Sequence, residues 1–163
     1  FLIIVGLAVG GFFVWRQYFS PQAKLNRQNA ENLQKYLDFE ANYEKALTED
    51  TFGGKTPEET LNMFIEAFQA GDVELASKYF ALDTNERSEY YLTRKEWKNG
   101  LIKAKEEGKL GEIINIISNS VLDNKSSSDN TMWFVLKNKE GMVEYSTILK
   151  FNQYSGVWKI ESM

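Results

Sequence analysis

The stretch TPEETLNMFIEAFQAGDVELASKYF, Thr56 to Phe80, decides the fold. Thr56, Pro57 and Glu59 have the spacing of a capping box with proline at the first helical position. The Thr hydroxyl and the Glu carboxylate can each take up a backbone N–H that the first turn leaves unpaired. Leu61, Phe64, Ile65 and Phe68 then recur at three- and four-residue steps, which sets them on one helix face. Gly71 ends that helix. Asp72 caps a shorter one, whose Val73, Ala76, Tyr79 and Phe80 face the same interior.

Outward from this stretch, Thr93 and Glu96 repeat the capping-box spacing. The helix they start carries Trp97, Leu101 and Ile102 inward and stops at Gly108. After Gly111 the period falls to two, and Ile113 to Leu122, Thr131 to Lys137, Val143 to Phe151 and Val157 to Ser162 read as four strands. Their loops, Asn124 to Asn130, Asn138 to Gly141 and Asn152 to Gly156, are short enough to make the sheet antiparallel. Three helices followed by a meander give an α+β class, with one sheet curling over one helical layer.

The phrase "long helix, Gly-Asp, short helix" from Thr56 to Phe80, with Trp158 on the closing strand, resembles the cone-shaped domains grouped as ketosteroid-isomerase-like or nuclear-transport-factor-like. The resemblance covers Thr56 to Met163 and implies a curved sheet wrapped around helices with an apolar pocket. It does not imply one function, because domains of this shape serve as enzymes, binders and scaffolds.

Towards the N-terminus the sequence changes character. FLIIVGLAVGGFFVW, Phe1 to Trp15, holds no charged group, and a helix of this length covers about 22 Å against a hydrocarbon core of about 30 Å. With Arg16 snorkelling and Trp15 and Tyr18 at headgroup depth, residues 1–19 approach a full span. The side chains expected to meet lipid or neighbouring helices are Phe1, Leu2, Ile3, Ile4, Val5, Leu7, Val9, Phe12, Phe13 and Trp15. Arg16, Lys24 and Arg27 follow the run, and topology stays open between an exported and a retained head.

Ser20-Pro21 reads as a cap with proline at the first helical position, or as a kink in one continuous helix. From Gln22 to about Glu49 there is no Gly or Pro. Leu33, Tyr36, Leu37, Tyr43 and Leu47 form a thin apolar stripe on an otherwise polar helix, either leaning on the protein's own head or packing against copies of itself. The segmentation is therefore a hydrophobic helix at 1–19, an amphipathic stalk at 20–50, a linker at 51–55 and a head at 56–163.

A greasy N-terminal helix, a proline about twenty residues in, a long amphipathic continuation and a compact head resemble a mature type IV pilin over about Phe1 to Asp50. That resemblance implies a peptidase cut before Phe1 and apolar helices bundled as a filament core, at the surface of a bacterial or archaeal cell. Pilins also carry a glutamate a few residues in, where this chain has Leu2 to Val5.

Composition narrows the chemistry. The net charge is −4, with Lys and Arg interleaved among Glu and Asp, so no broad cationic field invites nucleic acid. There is no Cys and no His, which removes thiolate chemistry, Ser-His triads and the usual zinc and haem ligands. No metal or cofactor is expected. An isomerase or dehydratase of this shape would need a buried carboxylate base and an oxyanion donor. Asp83, Tyr90, Tyr91, Trp97 and Tyr145 are the residues that could line such a pocket, with Glu96 near its mouth. Asn124-Lys125-Ser126 is a formal glycosylation sequon.

The leading expectation is thus a non-enzymatic, pilin-like filament subunit that self-assembles through its N-terminal helix. The first alternative is a single-pass, membrane-anchored module outside the cell that binds a protein or a small apolar ligand. The second is an isomerase- or dehydratase-like enzyme.

Overall fold

The computed structural model describes residues 10–16, 20–82 and 92–163. It divides into two compact units, Phe1–Ala46 and Leu47–Met163.

In the first unit, residues 10–16 are helical, and Phe12, Phe13 and Trp15 are exposed on them. The expectations at Phe1, Leu2, Ile3, Ile4, Val5, Leu7 and Val9 lie outside the described residues. Among the described residues no helix is long and apolar enough to cross a membrane. Helix α1, Pro21–Glu49, starts where the sequence predicts. Ser20 caps it, accepting from the Ala23 N–H at 3.2 Å, while the Ser20 hydroxyl donates to Arg16 O. No residue of α1 is buried. Leu33, Tyr36 and Leu37 are exposed, and Tyr43 and Leu47 are half-buried.

The second unit is an α+β head. Its helices are α2 (Pro57–Gln69), α3 (Val73–Lys78), α4 (Arg94–Glu106) and α5 (Leu110–Ser118). Its strands are β1 (Val121–Leu122), β2 (Thr131–Lys137), β3 (Val143–Asn152) and β4 (Val157–Ser162), in an antiparallel sheet of order β1-β2-β3-β4. The predicted capping boxes are both present. Thr56 takes the Glu59 N–H and Thr93 takes the Glu96 N–H, and each Glu reaches back to its cap backbone. Gly71 sits at φ +72°, the left-handed turn that closes α2 and that a residue with a Cβ adopts only at a cost. Asp72 then caps α3 by accepting from the Leu75 N–H.

One expectation fails. Ile113 to Leu122 is not a strand: α5 occupies Leu110–Ser118, and β1 is only Val121–Leu122. The β-branched run Ile113-Ile114-Asn115-Ile116-Ile117 suggests a strand by composition. Yet Leu110, Ile113, Ile114 and Ile117 also fall at i, i+3, i+4 and i+7, and burial against the core selects the helix. The head therefore has four described helices, where three were expected.

The core lies between these helices and one sheet face. Phe64 and Phe68 stack at 5.6 Å, Phe80 meets Phe64 edge-on at 5.7 Å, and Trp97 stacks on Phe80 at 4.8 Å. Phe134, Leu149, Trp158 and Ile160 close the interior from β2, β3 and β4. The register supports this alternation, since Phe134 pairs with Thr147, and Leu149 with Ile160. The outer edge of β4 is not left open. Trp158 N donates to Gly54 O, Ile160 N donates to Tyr79 O, and Phe80 makes a parallel bridge to Ile160.

Candidate functional site

Among the described residues of the head, two features bring chemically able groups together. The first is a charge cluster around Lys159, which sits between Trp158 and Ile160 on β4 but faces the other way. It is 2% exposed. Its three ammonium protons have three acceptors: Asp50 Oδ1 at 2.9 Å, Phe52 O at 2.6 Å and Lys78 O at 2.6 Å. Asp50, 7% exposed, also accepts from Arg94 Nη2, which donates in turn to Phe80 O.

Burial pushes the Lys159 ammonium down from its ordinary 10.5 to about 8. The Asp50 carboxylate opposes that shift and the Arg94 guanidinium adds to it. A lysine lowered this far is a familiar nucleophile or base, but here every N–H is committed to a fixed acceptor inside the fold. The cluster is a cross-link. It ties the residues after α1, the end of α3 and the start of α4 to the last strand. Nearby, Asn152 Nδ2 donates to Leu47 O, which fastens the last turn of α1 to β3.

The second feature is a groove of about 340 Å³ between α2, α5 and β2. Leu61 and Ile65 from α2, Ile117 from α5 and Phe134 from β2 form its apolar walls, and Glu58, Asn62, Ser118 and Ser120 carry its polar groups. Each residue arrives for a local reason. The capping box starts α2 so that Glu58, Leu61, Asn62 and Ile65 fall on one side of it. The helical period of α5 turns Ile117 to the core, and its C-terminal end then meets the sheet.

The candidates named from sequence fare unevenly. Asp83, Tyr90 and Tyr91 lie outside the described residues. Trp97 is half-buried in the helical layer against Phe80, and its indole nitrogen has no hydrogen-bond partner among the described residues. Tyr145 is exposed on β3 opposite Leu136. Neither Trp97 nor Tyr145 lines the groove. Glu96 holds the cap of α4, and its hydrogen bonds from Thr93 keep its carboxyl below the usual range. Among the described residues no group of three acidic side chains could hold a metal ion.

The Asp50, Arg94 and Lys159 cluster is not foreseen in the sequence. Its only signal is a lysine among Val157, Trp158 and Ile160, and nothing local names a carboxylate more than a hundred residues away as its partner. The groove is missed because it depends on α5 being a helix.

Comparison with protein families, with curated proteins and with solved structures gives no significant match.

Proposed function

We propose that this chain is a non-enzymatic, membrane-anchored binding module displayed outside a bacterial or archaeal cell. The apolar segment at 1–19 is its anchor, α1 its spacer, and the head, a cone-shaped domain of the ketosteroid-isomerase-like type, its binding part. The observation that carries the reading is the groove walled by Leu61, Ile65, Ile117 and Phe134, a size and lining suited to a small ligand or a short side-chain segment. A register shift supports the cone: Glu161 is an extra residue of β4 between the Ile148–Ser162 and Leu149–Ile160 pairs, and such a bulge bends the strand that carries it. The full use of the Lys159 protons within the fold supports a binding role over a lysine-based catalyst.

The test is a fragment screen by ¹H–¹⁵N correlation spectroscopy on the full chain. Shifts gathered at Leu61, Ile65, Ile117 and Phe134 are expected. Shifts at other surfaces alone would overturn the reading. Flotation of the full chain with phospholipid vesicles, compared with a variant lacking residues 1–19, tests the anchor.

A second reading, the filament subunit, is favoured by α1. Leu25, Leu33, Tyr36, Leu37 and Phe39 are exposed along a helix without a buried residue, a surface open to packing against further copies. Filaments in electron micrographs of the native protein, lost on Leu33→Glu/Leu37→Glu, would establish it. Dispersed particles under all conditions would exclude it.

A further inference from the structure

We propose that the groove between α2, α5 and β2 takes a small primary aliphatic amine, with the hydrocarbon chain along the apolar walls and the ammonium group at the Glu58 end. This deepens the binding reading and rests on it. Charge and hydrogen-bond complementarity select this ligand. A primary ammonium has three donors and no acceptor, so it needs a site made of acceptors. The groove is such a site. Glu58 supplies the only formal charge among its lining residues and has no hydrogen-bond or ion-pair partner among the described residues. The Ser120 hydroxyl proton is committed to Ile116 O at 2.7 Å, which turns the lone pairs of Ser120 Oγ into acceptors. Asn62 brings a side-chain carbonyl and Ser118 a further hydroxyl oxygen.

The C-terminal end of α5 reinforces the choice. Ile117 and Ser118 are the last two residues of α5, so the carbonyl end of that helix, with its partial negative charge, lies at the groove. No basic side chain occupies the last turn of α5 to neutralise it. An anion would meet Glu58 and the same carbonyl end without a cation to receive it. The hydrocarbon part has Ile65, which is half-buried, and the small exposed parts of Leu61, Ile117 and Phe134 to lie against. The volume of about 340 Å³ lies at the low end of the range of small-ligand sites, which suits a short amine.

The test titrates the full chain with hexylamine, 1-hexanol and hexanoate, three probes of one length that differ in the head group. Amide shifts are followed at Leu61, Ile65, Ile117 and Phe134. Hexylamine is expected to saturate these shifts at the lowest concentration, Glu58→Gln to weaken it about fivefold, and added salt to weaken it further. Glu58 is exposed, so the variant keeps the fold. Hexanol or hexanoate saturating the groove as readily as hexylamine, or hexylamine binding unchanged in Glu58→Gln, would overturn the amine assignment and leave the groove a binding site. No groove shift with any probe or fragment would overturn both.

Discussion

Lys159 Nζ lies 2.9 Å from Asp50 Oδ1, although 109 residues separate the two along the chain. Both side chains are buried, so the pair carries two charges out of water and depends on its geometry to offset that cost. Removing one partner strands the other. Asp50→Ala is expected to lower the unfolding free energy by about 3–5 kcal/mol. The double variant Asp50→Leu/Lys159→Met should lose less than Asp50→Ala alone, because no buried ammonium is left without its carboxylate. Urea unfolding followed by tryptophan fluorescence measures both.

The same lysine sets a pH dependence. Its folded-state pKa of about 8 lies below the ordinary 10.5, so above pH 8 the unfolded chain holds a proton that the folded chain has released. Stability from this group therefore rises as pH climbs from about 8 towards 10.5. The whole effect is on the order of 3 kcal/mol. Tyr79 acts in the opposite sense: burial raises its phenol, so its contribution is present below pH 10 and is lost above it. Unfolding midpoints at pH 7, 8, 9 and 10 should rise over this range in the natural chain and lose most of that slope in Lys159→Met.

Gly53 is the next sensitive position. Its φ is +150°, and a Cβ built there would lie 2.3 Å from Trp158 O. The backbone cannot accommodate that approach, so Gly53→Ala must push residues 53–54 off the edge of β4. Trp158 N would lose Gly54 O, and Thr60 Oγ1 would lose both Gly54 N and Trp158 O. The expected outcome is faster amide exchange at Trp158 and a lowered unfolding midpoint, while Gly141→Ala, with open space around it, serves as a control for positive φ alone.

Phe80 tests the core. It is fully buried, meets Phe64 edge-on and carries the Trp97 ring on its face. Phe80→Ala removes both ring contacts and opens a cavity beside β4, at an expected cost of about 3–5 kcal/mol. Phe52→Ala, at an exposed ring, is expected to stay within about 1 kcal/mol of the natural chain in the same unfolding assay.

Local patterns carried much of the architecture. The boxes at Thr56 and Thr93, the stripe from Leu61 to Phe68 and the Gly71-Asp72 break are each contained within a few residues, and the backbone obeys them. Strands β2, β3 and β4 also lie where period-two alternation puts them. The segment Leu110 to Ser118 was ambiguous, because a short apolar run satisfies both periods and only its packing against α2 and β2 makes it a helix.

The candidate site was far less legible. Glu58 looks from sequence like a first-turn acid, and Ile117 like a strand residue. They share one groove only because α5 packs against both α2 and β2.

The sequence by itself determined what depends on near neighbours: where helices start and stop, the α+β order, the antiparallel hairpins and the polar surface of α1. Tertiary structure alone decided what depends on distant ones. It made α5 a helix, buried Lys159 against Asp50, and brought Glu58 into one groove with Ile117 and Phe134. The physical reason is range. Caps and periodicities act through hydrogen bonds and burial within a turn or two, whereas a buried charge or a concave wall exists only after segments far apart in the chain have excluded water between them.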